Sequence, residues 1–126
     1  MNSTKLQWGF TLIEMLITLA ILGVVTAIAI PSYNGYITTA KMSEAQNNLA
    51  ALRLAQEEFF LENNRYFTGE NTGAIETDSD NLWAATQGSD GFSFDYVVTL
   101  SSVWTAKATG KIGKSVAGKT VTIFKQ

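Results

Sequence analysis

The chain has 126 residues and a formal net charge of −2, so it has room for one small domain and no strong charge excess that would by itself indicate a partner. It contains neither cysteine nor histidine. These absences exclude a disulfide framework and thiol or imidazole chemistry, and the sequence has no phosphate-binding loop. Nothing in the sequence therefore favours an enzyme or indicates a cofactor.

The first element in chain order is an apolar segment over residues 10–30, interrupted only by the carboxylate of Glu14. About 21 helical residues rise roughly 31 Å, which is enough to cross the hydrocarbon core of a membrane. A carboxylate inside such a segment is costly unless a positive group neutralises it. Glu14 is therefore a candidate functional residue.

The residues around Glu14 form an ordered motif, in which Lys5 is followed by GFTLIE at residues 9–14 and then by the apolar segment. This motif resembles the processing site of type IV prepilins and the related pseudopilins. The resemblance implies that residues 1–9 are a leader, removed on the cytoplasmic side when prepilin peptidase cleaves between Gly9 and Phe10. It further implies methylation of the new amino group of Phe10. An ordinary secretory signal is cleaved after its apolar segment, whereas cleavage here would retain that segment.

Cleavage would place an ammonium group on Phe10, one helical turn from Glu14. The two opposite charges can neutralise each other, within one chain or between neighbouring chains. We therefore expect Glu14 to direct assembly, because its unpaired carboxylate would favour docking onto the amine of another copy. The resemblance also implies an inner-membrane assembly machinery, lipid contacts before assembly and a surface filament afterwards. An uncleaved anchor with a stray glutamate is the alternative.

Gly23 and Pro31 are the expected weak points of the apolar helix, which we assign to residues 10–40. Glycine lowers helix propensity by about 1 kcal/mol relative to alanine. Proline lacks a backbone donor and crowds the preceding turn, so we expect a bend or local melting just before Pro31. The resemblance implies a segment that can lose helix in a packed filament, and a mildly kinked membrane helix is the alternative.

Residues 41–126 are expected to form a globular head that begins with an amphipathic half of the same helix. Apolar residues recur there at three- and four-residue steps and form one stripe: Met42, Ala45, Leu49, Leu52 and Phe59. We assign Arg53 and Gln56 to the polar faces of this helix. Asn63 and Asn64 are plausible terminators.

Residues 68–91 are rich in Gly, Thr, Ser, Asp and Asn, which predicts a long connection with one short structured piece around Leu82 and Trp83. Glu76, Asp78 and Asp80 place oxygen ligands close together. Their spacing does not match the helix–loop–helix calcium pattern. We interpret them as a solvated acidic loop, with a calcium site as the alternative.

Three strands are predicted after this loop, at residues 92–100, 104–108 and 120–124, because apolar and polar residues alternate there. Short connections favour an antiparallel meander, and its apolar face needs a cover that the helix stripe supplies. The expected fold class is α+β: a long N-terminal helix packed on a small antiparallel sheet, as in type IV pilins.

Charge is divided along the head. Residues 57–95 contain nine acids and one base, whereas no acid follows Leu100 and five lysines do: Lys107, Lys111, Lys114, Lys119 and Lys125. We interpret these lysines as a solvated edge that discourages unwanted strand pairing. Matching to the acidic loop of a neighbouring copy is one alternative, and non-specific contact with DNA phosphates is another.

The resemblance as a whole implies a structural subunit, either major or minor, of a type IV pilus. Such a filament would contain copies of this chain and other pilins and would serve adhesion, twitching motility or DNA uptake. The first alternative is a pseudopilin of a type II secretion system. A more remote one is a single-pass membrane-anchored hydrolase that uses Asp and Ser.

Overall fold

The computed structural model of the protein describes residues 9–86 and 93–125. Its elements follow in the order α1 (Leu12–Asn63), α2 (Thr72–Asp78), β1 (Phe94–Leu100), β2 (Trp104–Gly110) and β3 (Thr120–Phe124). The chain divides into two compact units, one ending at Gly35 and the other beginning at Tyr36. Phe92, which was predicted to begin the first strand, lies outside the described residues.

The first unit consists of the apolar part of α1, which is long and apolar enough to cross a membrane. Its large apolar side chains from Phe10 to Ile30 are 53–83% exposed. The helix continues through Gly23 and Pro31 without interruption, so the local melting predicted just before Pro31 is absent from the single chain. One missing backbone donor does not outweigh the helical bonds on both sides of it. Loss of helix within a filament stays a prediction.

The core of the second unit combines the later part of α1 with one face of an antiparallel sheet in the order β1-β2-β3. The register aligns Tyr96 with Ala108 and Val121, which places the core-facing residues of the three strands in rows. The largest fully buried apolar side chains come from every layer: Leu49, Leu52, Phe59, Phe67, Ile75, Phe94, Tyr96, Trp104 and Val116. The α+β fold class, with its helix stripe and three-stranded meander, is confirmed.

Gln56 lies in the core, and its assignment to a polar face is wrong. Its side chain is fully buried, its Nε2 donates to the carbonyl oxygen of Phe67 at 2.8 Å, and its Oε1 accepts from the Phe67 N–H at 3.2 Å. The amide thus satisfies a buried stretch of backbone that has left the helix. The spacing gave a signal, because Gln56 follows the buried Leu52 by four residues and precedes Phe59 by three.

Asn48 is a second buried amide on α1. Its Nδ2 donates to the hydroxyl of Tyr96 at 2.8 Å, and its Oδ1 accepts from the N–H of Thr86 at 3.2 Å. The indole N–H of Trp83 donates to the Asn48 carbonyl at 3.0 Å. Burial raises the pKa of Tyr96, so its hydroxyl stays protonated. The Trp83 side chain is therefore bonded to α1, but residues 82 and 83, where a short structured piece was predicted, form no helix or strand.

Helix α2 lies within the segment that was predicted as a connection, so that prediction is wrong for residues 72–78. Asn71 begins the helix with an extended backbone, and its side-chain oxygen accepts from the Ala74 N–H at 2.9 Å. Ile75, a residue of this helix, is fully buried. Just before α2, Gly69 exchanges two backbone hydrogen bonds with Val98 of β1, at 3.1 and 2.8 Å. Residues 87–91 of the predicted connection lie outside the described residues.

Asp78 is bound within the head. Arg65 donates to both of its carboxylate oxygens at 3.2 Å, and the Thr68 N–H donates at 2.8 Å. These hydrogen bonds, the Arg65 one foremost, lower the pKa of Asp78. The contribution to stability is therefore present above the ordinary pKa of about 4 and is lost as the pH falls through the lowered value. Glu76 accepts from the Ala85 N–H at 3.3 Å.

The described parts of the chain contain no group of three Asp, Glu, His or Cys residues that could hold a metal ion.

The last strand is held without a disulfide. The ammonium group of Lys125 donates to the hydroxyl of Tyr66, and this hydrogen bond raises the pKa of Lys125. The same nitrogen lies 4.5 Å from the ring centroid of Tyr66 and 5.3 Å from that of Phe60, two rings that stack at 4.6 Å. The Lys125 N–H donates to the carbonyl of Trp104 at 3.2 Å.

Candidate functional site

The residues of the predicted cleavage site precede the helix. Gly9 and Phe10 are exposed and non-helical, and α1 begins two residues later at Leu12. Apart from its chain neighbours, no described residue has an atom within 4 Å of the position that a Cβ on Gly9 would occupy, and Phe10 is 83% exposed. The peptide bond between them therefore lies in an exposed, non-helical stretch.

Thr11 and Glu14 form a capping box at the start of α1. The N–H of Glu14 donates to Oγ1 of Thr11 at 3.2 Å. In return, the N–H and the hydroxyl of Thr11 both donate to Oε2 of Glu14, at 2.9 and 2.7 Å. This reciprocal arrangement satisfies backbone donors that the first turn of a helix leaves unpaired, and the negative charge suits the positive end of the helix dipole.

The sequence reasoning missed Thr11, because it counted the threonine as a neutral member of the apolar segment. The signal was present in the order Thr-x-x-Glu directly before an apolar run, which predicts a capping box. Thr18 adds a further contact, since its hydroxyl donates to the backbone carbonyl of Glu14 at 2.7 Å. Glu14 is thus bonded at its side chain, its N–H and its carbonyl.

Gly23 and Pro31 lie on a different surface, further along the same helix. With Ala27 they recur at four-residue steps, and all three line a shallow groove together with Leu19, Leu22, Thr26 and Ile30. Small side chains in such a row allow a second helix to approach closely. The structure therefore groups Gly9, Phe10 and Glu14 at the start of the helix and keeps the two weak points apart from them.

Comparison with known proteins identifies the family. The sequence-family model described as type IV minor pilin ComP, DNA uptake sequence receptor, matches residues 31–120 of this chain. A second family model, the prokaryotic N-terminal methylation motif, matches residues 7–30. The chain belongs to the type IV pilin family. The methylation-motif match includes Gly9, Phe10, Glu14 and Gly23 of this pilin.

Individual relatives of the pilin are fimbrial proteins. It is 30% identical over 119 residues to the fimbrial protein EcpC of Eikenella corrodens, covering 94% of this chain and 74% of the relative. It is 33% identical over 121 residues to the type IV major fimbrial protein FimA of Dichelobacter nodosus, covering 90% and 76%. It is 52% identical over 58 residues to the type IV major pilin protein PilA of Myxococcus xanthus, covering 46% and 26%.

The pilin thus spans about a quarter of the Myxococcus protein and about three quarters of the other two. No solved structure matches it. A type II secretion pseudopilin is not favoured, because these relatives are pilins and fimbrial proteins. The family is one of structural subunits.

Proposed function

We propose that this pilin is a structural subunit of a bacterial type IV pilus. Residues 1–9 are its leader, residues 10–40 its membrane and filament-core helix, and residues 41–126 its globular head. The observation that carries the proposal is an exposed apolar helix whose carboxylate, Glu14, lies at its start, directly after the accessible Gly9–Phe10 bond. Before assembly the helix lies in the inner membrane. Afterwards the helices of many copies pack against one another at the cell surface.

The processing chemistry follows from the same stretch. Prepilin peptidase hydrolyses the Gly9–Phe10 amide, which leaves a carboxylate on Gly9 and an ammonium group on Phe10. The Phe10 nitrogen, as the neutral amine, then takes a methyl group from a methyl donor: the bond between donor and methyl breaks as the N–C bond forms. In the filament, Glu14 of one copy neutralises the amino terminus of its neighbour, and Gly23 and Pro31 allow the helix to lose local structure as it packs. The assembly machinery of the inner membrane adds each copy to the filament base.

Intact-mass measurement of the native protein tests this proposal. We expect the chain from membranes and the chain from sheared surface filaments to begin at Phe10 and to carry one N-methyl group. A mass that still includes residues 1–9, or the absence of the chain from the filaments, would contradict it. The amount recovered in the filaments also separates a major pilin, which forms most of their mass, from a minor one.

DNA binding by the head is a second candidate function, favoured by the match to the family of a DNA uptake sequence receptor over residues 31–120. Among the lysines, Lys111 pairs with Asp95 at 3.3 Å and Lys125 binds Tyr66, whereas Lys107 and Lys119 are exposed. Lys107 lies in the middle of β2. On the same outer face of that strand, it is flanked by two residues with hydroxyl groups, Thr105 and Thr109. Lysines and hydroxyls of this kind contact phosphates.

The salt dependence of binding to double-stranded DNA checks this second function. Replacing Lys107 and Lys119 by alanine should weaken binding and lower the slope of log affinity against log salt by about two, because each phosphate contact contributes about 0.9 to that slope. Arg53→Ala, which removes an exposed cation of α1, is the matched control and should leave the slope unchanged. Equal slopes for both variants, or no binding by the unaltered pilin, would count against a DNA-binding head.

A further inference from the structure

The two carboxylate oxygens of Glu14 have different surroundings. Oε2 accepts both hydrogen bonds from Thr11, one from the N–H and one from the hydroxyl. Among the described residues, none donates a hydrogen bond to Oε1. Because an ionised carboxylate accepts hydrogen bonds through both oxygens, the first turn of the helix uses one oxygen and leaves the other with acceptor capacity.

The Thr11 hydroxyl group makes two hydrogen bonds, one as acceptor and one as donor. Its oxygen accepts from the Glu14 N–H at 3.2 Å while its hydroxyl proton bonds to Oε2 at 2.7 Å. The glutamate side chain, with three rotatable bonds, is therefore restricted before any partner arrives. A group that is ordered in the free molecule loses less conformational freedom on docking. The proposed cleavage between Gly9 and Phe10 leaves the amide between Phe10 and Thr11 intact. The N–H and the hydroxyl of Thr11 therefore both remain as donors in the processed chain.

We propose that Thr11 is a positioning residue for assembly: it binds Oε2 of Glu14 and so presents Oε1 to the amino group of a neighbouring copy. This inference rests on the proposed function, because it requires that Glu14 pairs with that amine. It assigns Thr11 a role that helix capping alone does not require, since capping is complete within one chain. The partner is a second copy of the processed pilin.

Three variants test the role of Thr11. Thr11→Val removes the hydroxyl and keeps the shape, and Thr11→Ser restores the hydroxyl. Thr77→Val is the matched control, since the exposed Thr77 hydroxyl donates only to the Gly73 carbonyl of its own helix α2, at 2.9 Å. In cells that also make the unaltered pilin, we expect the fraction of Thr11→Val in sheared filaments to fall about tenfold, the scale of a lost hydrogen bond to a charged group. The serine variant and the control should assemble normally.

A double-variant comparison separates positioning from a merely structural role. If Thr11 acts through the Glu14 carboxylate, Thr11→Val should cause little further loss in the Glu14→Gln background. Normal assembly of Glu14→Gln alone would overturn the proposed pairing itself. Three outcomes would overturn only the positioning role. The first is a loss of assembly with Glu14→Gln but not with Thr11→Val, and the second is an equal loss of assembly caused by Thr11→Val in both backgrounds. The third is retention of the leader by Thr11→Val.

Discussion

Glu14→Val is expected to leave leader removal intact and to lower the filament yield of this pilin about a hundredfold. The valine gives the amino terminus of the neighbouring copy no carboxylate to pair with, so that ammonium group stays unneutralised among apolar helices. An unpaired charge at that depth costs about 2.5–3.5 kcal/mol on insertion scales, which corresponds to about a hundredfold in an equilibrium constant. The measurement is the ratio of pilin in sheared filaments to pilin in whole cells, with intact mass to establish processing.

Ile13→Val is the matched control for this prediction, because it shortens an exposed apolar side chain of the same helical turn and changes no charge. It should give normal filaments. If Glu14→Val chains also reach the surface in normal amounts, the carboxylate is not needed for docking and serves only to cap α1. Retention of residues 1–9 by the valine variant would place the effect in processing.

Gly110→Ala should destabilise the head by about 3 kcal/mol or more, which is the upper range for forcing extra atoms into a packed site. A Cβ on Gly110 would lie 1.8 Å from the carbonyl oxygen of Val116 and 2.6 Å from its carbonyl carbon. The backbone at Gly110 is held because its N–H donates to the carbonyl oxygen of Lys119 at 2.8 Å. The backbone at Val116 is held because the Val116 side chain is fully buried. Urea unfolding followed by tryptophan fluorescence measures the loss.

Gly73→Ala is the comparison that separates this clash from a general cost of alanine. Beyond the backbone of α2 and the chain neighbours of Gly73, the described atom that a Cβ there would meet is the side-chain oxygen of the capping Asn71 at 3.6 Å, an ordinary contact. Because alanine is the better helix former, by up to about 1 kcal/mol, this variant should be neutral or slightly more stable. Equal unfolding midpoints for the two variants would show that the turn after β2 can move away from Gly110.

Periodicity was sufficient for the large elements of this fold. The three- and four-residue steps from Ala45 to Phe59 placed one side of α1 in the core, and alternation located all three strands to within a few residues. It failed for α2 because seven residues in a polar stretch form too short a pattern, and the capping Asn71 was the main local signal. It failed for Gln56 because a buried amide appears polar until its partner, the Phe67 backbone, is known.

The candidate site divides in the same way. Glu14 could be singled out from the sequence because a lone charge in an apolar segment has few explanations. Gly9 and Phe10 were indicated by the resemblance of the surrounding motif to a prepilin processing site. Thr11 could not be singled out from hydropathy, since its contribution depends on two donors meeting one oxygen. Which amine meets Glu14 in a filament is a relation between chains, and the order of residues in one chain does not determine it.

The contacts of Lys125 with Tyr66 and Phe60 determine which chemical treatments weaken the attachment of the last strand. Because these contacts close the final strand without sulfur, and the sequence contains no cysteine, thiol reductants have no bond to break in this head. The packing of the described head therefore does not depend on a disulfide. Concentrated salt or strong alkali, which screens or deprotonates the ammonium group, is the treatment that loosens it.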